Sequence, residues 1–223
     1  MKFLIPLVSL SLVFTCGCGS GGGDGGGSRG SARTGARVLN TAIDLPPVSL
    51  STSAKVGETI STVKFAEATG FAELPEGEQT ISVQSVDGAS GPFKFSVSIQ
   101  NQDRPQILVY GLRETNGINA TLLEFKKLEI PEGFAAVRIA HGVAGAATIQ
   151  GSVGVSELPA VVSFGSASKY LFVAAGTTLV KLTRSADSKV ITNQQVQVDN
   201  RKAYTFVVSG ELDYLVIGSL LED

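Results

Sequence analysis

The sequence predicts an all-β protein: two tandem immunoglobulin-like antiparallel β-sandwich domains behind a disordered N-terminal tether. Three observations predict it. Short runs such as Thr80-Ile81-Ser82-Val83, Phe93-Lys94-Phe95-Ser96-Val97, Val137-Arg138-Ile139 and Gln195-Val196-Gln197-Val198 alternate apolar and polar residues, the period of a half-buried strand. Gly, Pro, Asn and Asp break these runs, and no stretch of a dozen residues holds a capped helical period. Finally, the chain resembles itself at a fixed offset.

The first element is an address. Met1-Lys2 is a short positive start, and Phe3 to Phe14 is almost wholly apolar. Twelve residues at about 1.5 Å each are too short for a resident membrane helix but suit an export signal. The run stops at Cys16-Gly17-Cys18. It thereby resembles a bacterial lipoprotein signal, in which a cysteine is acylated and becomes the new first residue. Residues 1–17 are read as that signal. Cys18 is favoured for lipidation because the small Gly17 precedes it. Cys16 is the alternative, with the aliphatic Val13 three places before it but the larger Thr15 adjacent. A disulfide between them would close a strained loop, and the chain has only these two cysteines.

Residues 18–35 form the tether. Ten of the 26 glycines fall between Gly17 and Gly35, with almost no apolar side chain to bury. Such a coil reaches roughly 20 to 25 Å. Gly17, Gly19 and Gly22 match the spacing of a dinucleotide fingerprint, but neither the strand before nor the helix after is present in the sequence pattern.

Residues 36–130 and 133–223 are the two sandwich domains. An offset of 99 lays Val63–Phe71 on Val162–Tyr170, Gly77 on Gly176, Ile81 on Val180 and Ile107–Gly111 on Phe206–Gly210. Near the start of each copy the offset is 101, pairing Arg37-Val38 with Arg138-Ile139. Leu74-Pro75-Glu76-Gly77 and Ile130-Pro131-Glu132-Gly133 carry turn chemistry, proline presetting one φ and glycine supplying a positive one. The junction is short, so the domains are expected to sit against each other.

The second copy carries Phe164-Gly165-Ser166-Ala167-Ser168-Lys169-Tyr170, then Ala174-Ala175-Gly176, Lys202-Ala203-Tyr204-Thr205 and Ser209-Gly210, and opens on Val137-Arg138-Ile139-Ala140-His141. These residues resemble the bacterial family catalogued as domain of unknown function 4397, exported domains that often occur in tandem. The first copy departs from the pattern, with Asn40 at the His141 position and Pro105 at the Tyr204 position. The resemblance implies a β-sandwich in the cell envelope and brings no established activity.

Composition narrows the chemistry. Eighteen basic against 20 acidic residues give a net charge of −2, without the basic excess of a nucleic-acid binder. One histidine and two cysteines complete neither a multi-histidine nor a four-cysteine metal site. Ser166-Ala167-Ser168-Lys169 has the Ser-x-x-Lys spacing of penicillin-binding enzymes, but it leads into the strand pattern Tyr170–Val173, where serine and lysine share no face. His141 is read as a strand-end hydrogen-bonding residue, because Asn40 takes its place in the first copy. Asp44, Asp87, Asp103, Asp199 and Asp213 lack calcium-loop spacing and suit turns. Asn119-Ala120-Thr121 has the form of a glycosylation site, which means little in a bacterial lipoprotein. No catalytic residue, metal or cofactor is assigned. Tyr170 and Tyr214 are the candidates for a ligand face, with Tyr204 placed in packing.

The expected function is that of a non-enzymatic, membrane-anchored envelope lipoprotein, a structural or interaction module with an envelope protein or glycan as partner. The alternative is a glycan- or peptidoglycan-binding envelope protein. If Cys18 is the anchor, Ser20 stands two places after it. In lipoproteins of enteric bacteria a residue other than Asp there favours the outer membrane, on its periplasmic or surface face.

Overall fold

The structure, a computed structural model, describes residues 12–13, 34–54, 59–100, 103–115, 117–123, 128–211 and 214–221, the backbone pairing alone for 12–13 and 214–221. Cys16, Cys18 and nearly all of residues 1–35, read from sequence as signal and tether, lie outside the described residues. β1 (Leu12–Val13) pairs in parallel with Gly218–Ser219.

The first unit contains β2 (Gly35–Asn40), β3 (Val48–Thr52), β4 (Ser61–Val63), β5 (Glu67–Ala68), β6 (Ala72–Glu73), β7 (Gly77–Ser85), β8 (Phe93–Ile99), β9 (Gln106–Tyr110) and β10 (Asn119–Leu123). The second contains β11 (Phe134–Ala144), β12 (Thr148–Val153), β13 (Ser156–Glu157), β14 (Val162–Ser163), β15 (Leu171–Ala174), β16 (Gly176–Arg184), β17 (Val190–Val198), β18 (Ala203–Glu211) and β19 (Tyr214–Leu221). The fold is all-β, two immunoglobulin-like sandwiches. The turns fall where proline and glycine placed them, Gly77 at φ 103° and Gly133 at φ 84°.

Each sandwich has an outer sheet, β4-β3-β7-β8 in one and β13-β12-β16-β17 in the other, and an inner sheet, β10-β9-β2-β5 and β19-β18-β11-β15. Pairing is antiparallel except for β2 with β9 and β11 with β18, which run parallel, and the short β1 contact. The opening strand of each unit thus lies beside its late strand rather than in a hairpin.

The register repeats as the sequence does. Arg37 faces Gln106 and Asn40 faces Val109, while Arg138 faces Thr205 and His141 faces Val208. Val48 faces Ser85 as Ile149 faces Arg184, and Gly77 faces Ile99 as Gly176 faces Val198. The offsets are 101 on the opening strands and 99 on later ones, the same values that align the sequence.

Each sandwich has its own core. One gathers Val38, Leu50, Ile81, Val83 and Ile107; the other gathers Ile139, Ile149, Val180, Leu182 and Phe206. A third cluster joins them: Leu39, Leu108 and Leu123 of the first unit against Ala140 and Val207 of the second. Leu39 and Ala140 are equivalent positions, as are Leu108 and Val207, so the units meet through the same face of their inner sheets. The molecule is therefore four sheets deep at this contact. That stacking explains why β2, β11 and β18 are buried on both faces while β7, β8 and β16 alternate. Alternation in Val137-Arg138-Ile139 suggested a half-buried strand, but Arg138 is only 3% exposed because the inner sheet is covered on both sides.

Gly35, read as the end of the tether, is the first residue of β2. It pairs with Glu73 and lies so close to the Ala72 carbonyl that a Cβ would overlap it. Glycine is there for close backbone approach, not for flexibility.

Candidate functional site

The outer sheet of the second sandwich turns its hydrogen-bonding side chains outward. β12 runs through its middle and exposes Gln150. Ser152 pairs with Glu157 on one side and Lys181 on the other, and Gln150 pairs with Thr183. Because directly opposite residues share a face, Glu157, Ser152 and Lys181 form one cross-strand row, with the two charges about 10 Å apart, two strand spacings. Val161 and Val190, 52% and 55% exposed, border the neighbouring row. Together these residues line an open groove of about 690 Å³. It can offer a polar ligand one cation, one anion, a primary amide and the hydroxyls of Ser152, Thr183 and Ser188.

The contact between units holds a second cluster. The Tyr110 ring meets Phe164 edge-on at 5.0 Å, and Phe164 meets His141 at 5.7 Å. Gly165, at φ 75°, lies against the face of Tyr110, and a Cβ there would overlap the ring. His141 is fully buried. Its Nδ1 accepts the Val143 N–H at 3.2 Å, so Nε2 carries the proton and donates it to the Ala146 carbonyl at 2.9 Å. Burial pushes its pKa down to about 4, only partly opposed by the Ala146 bond. The imidazole is therefore neutral near pH 7. At the equivalent place Asn40 Oδ1 accepts the Ala42 N–H at 3.1 Å, the same bond two residues along the chain. Asn40 ends β2, whereas His141 stands three residues before the end of β11 and fastens that strand to the turn at Ala146, so the strand-end reading holds for Asn40 alone.

A further equivalence lies on the inner sheets. The Arg37 guanidinium sits 4.5 Å over the Phe71 ring and Arg138 sits 4.8 Å over Tyr170. Arg138 Nε also donates to Thr205 at 2.8 Å. Tyr170 is thus half-buried under an arginine, and it does not line the groove. Tyr214 begins β19 opposite Glu211, and its side chain lies outside the described residues. Tyr204 donates to Asp199 at 3.0 Å and packs against Phe206.

Ser166 and Lys169 are not on a helix. The Ser166 hydroxyl donates to the Ser163 carbonyl at 2.7 Å and Ala167 bridges to Ala140. Asp44 accepts the backbone N–H groups of Arg113 and Glu114 at 2.8 and 2.9 Å, and Asp103 that of Gln100 at 2.8 Å. Asp87 pairs with Arg113 at 2.9 Å. Its carboxyl is held below the usual range by the Ser85 hydroxyl first, then by the Ala89 amide and Arg113. Asp213 lies outside the described residues. Among the described residues no group of three or more His, Cys, Asp or Glu is placed to hold a metal ion.

Residues 135–223 match the family model for a domain of unknown function, DUF4397. That match spans β11 to β19, the whole of the second sandwich, and includes the groove and His141. No curated protein matches the chain. Among solved structures the chain is similar to CBMbc (family CBM26) from Eubacterium rectale Amy13K in complex with maltoheptaose. The two share 11% identity over 83% of this chain and 95% of that chain, with a TM-score of 0.30.

Tyr170 does not line the groove, and sequence reasoning missed the groove itself. Its residues are ordinary surface types from β12, β13, β16 and β17 and the loops beside them. Only the register brings them into rows.

Proposed function

We propose that this chain is a lipid-anchored protein of the bacterial cell envelope, a non-enzymatic interaction module built from two copies of the DUF4397 domain. The observation that supports it best is the stacking. The inner sheets are spent on joining the copies, so the outer sheets remain as the presented surfaces, one of them hollowed into a groove of hydrogen-bonding side chains. In this reading the signal ends at Gly17, Cys18 is acylated, and the glycine stretch holds the stack off the membrane. Two or more acyl chains give firm anchoring. Cleavage would also remove Leu12–Val13 from beside β19. The copy relationship rests on the shared register, including Arg37 with Gln106 and Arg138 with Thr205.

Metabolic labelling with an alkyne fatty acid tests the anchor. The wild type and Cys16→Ser should take up label, and Cys18→Ser should not. An unlabelled wild type, or label retained in the Cys16→Ser/Cys18→Ser double variant, refutes it.

A second reading, supported by the polar lining of the groove, is that it binds a glycan or peptidoglycan strand. Pull-down on purified sacculi should then be saturable and weakened several-fold by Gln150→Ala or Lys181→Ala, while Tyr170→Phe leaves it unchanged. Binding that is absent, or equal in all variants, removes that reading.

A further inference from the structure

The outer sheet of the second sandwich ends at β17, nine residues long. One edge of β17 is paired with β16, and among the described residues no strand pairs with the other. Proteins usually blunt such edges with lysine, proline or an inward charge, because a free row of N–H and C=O groups templates pairing with another chain. β17 has none of these guards: it reads Val-Ile-Thr-Asn-Gln-Gln-Val-Gln-Val. A register shift at Leu182/Thr183 touches only its start and leaves Thr192–Val198 regular.

The same chain supplies its own comparison. The equivalent edge of the first sandwich is β8, where Lys94 faces Ser82 as Asn193 faces Lys181. One edge is guarded by a cation at that position, and the other carries an amide there.

The outward face of β17 is Asn193, Gln195 and Gln197, all exposed. A primary amide both donates and accepts, so a row of amides is complementary to a copy of itself. Antiparallel pairing about Gln195 would set Gln195 opposite Gln195 of a second copy and Asn193 opposite Gln197. On the inward face it would set Gln194 opposite Val196 and Thr192 opposite Val198. No charge meets a like charge in this register.

We propose that β17 is an association edge that pairs antiparallel with β17 of a second copy of this chain, continuing the two outer sheets into one. The pairing is two-fold and uses the same strand on both sides, so it closes as a dimer and does not propagate. It lies at the border of the groove, beside Val190, and brings two grooves onto one continuous sheet.

Sedimentation velocity of the full chain in density-matched detergent, across a concentration series, tests this. The wild type should pass from monomer to dimer. Gln195→Lys, which puts two ammonium groups opposite each other, should raise the dimer dissociation constant by about tenfold or more. Ser96→Lys, at the equivalent place on β8, should leave it unchanged. Thermal melting of both variants shows that they fold. The proposal is overturned by a wild type that stays monomeric throughout, by a dimer that Gln195→Lys leaves intact, or by one that Ser96→Lys disrupts equally. A monomer whose β17 edge takes up a strand of a different protein overturns it as well.

Discussion

His141 gives the fold a pH dependence that its neighbours do not share. The native imidazole binds a proton only near pH 4, whereas an unfolded histidine binds one near 6.5. Between those values the unfolded chain holds more protons, so stability falls as pH drops through that window and is fully present above it. The loss from this group should approach about 3 kcal/mol by pH 4. Urea unfolding at pH 7.5 and 4.5 measures it. Asn can make the Val143 bond that Asn40 makes to Ala42, but it leaves space beside Phe164. His141→Asn should therefore be less stable at pH 7.5 and show a shallower loss below pH 6.5. Equal slopes for wild type and variant would remove His141 as the cause. The hydrogen bond this residue makes was legible from Asn40 at the matching offset. Its place inside the strand and its burial were not, because nothing within one sandwich shows that the other covers it.

At the scale of elements, the strands divide by which sheet they join. Thr80–Val83 and Phe93–Val97 sit in an outer sheet, where one face meets core and the other meets solvent, and the alternation predicted from sequence is seen there. β11 carries the same kind of pattern but is covered twice, so Arg138 is buried against expectation, and Arg37 and Asn40 of β2 are buried in the same way. Period two distinguishes two faces. It does not say what lies beyond each face. The parallel pairing of β2 with β9 was equally out of reach, since a strand's pattern is the same for either neighbour direction.

The seam between elements carries its own prediction. Gly165→Ala strains a backbone held at φ 75°, about 1–3 kcal/mol, and also drives the Cβ into Tyr110. Tyr110→Ala alone removes the half-buried ring that packs on Phe164 and is itself destabilising. The double variant should be more stable than the two losses added together, because removing the ring removes the overlap. Chemical denaturation of the four proteins in the cycle reads the coupling. Simple additivity would mean that ring and glycine do not touch as described.

At the scale of the whole molecule, the repeat legible in the sequence becomes a stack rather than beads on a string. Leu39, Leu108 and Leu123 meet Ala140 and Val207 through equivalent faces, and Tyr110 reaches across to Phe164 and Gly165. An interface made of buried leucine, valine and aromatic side chains should couple the two sandwiches thermodynamically. Neither inner sheet is then a surface in its own right, and recognition falls to the outer sheets and their edges.

Native-state hydrogen exchange of the full chain tests that coupling most directly. The amides of β2, β9, β11 and β18 should be the most protected, should open together as one unit across both sandwiches, and should lose protection together in Leu108→Ala. Inner-sheet strands of the two sandwiches that open independently, with Leu108→Ala affecting the first alone, would contradict it.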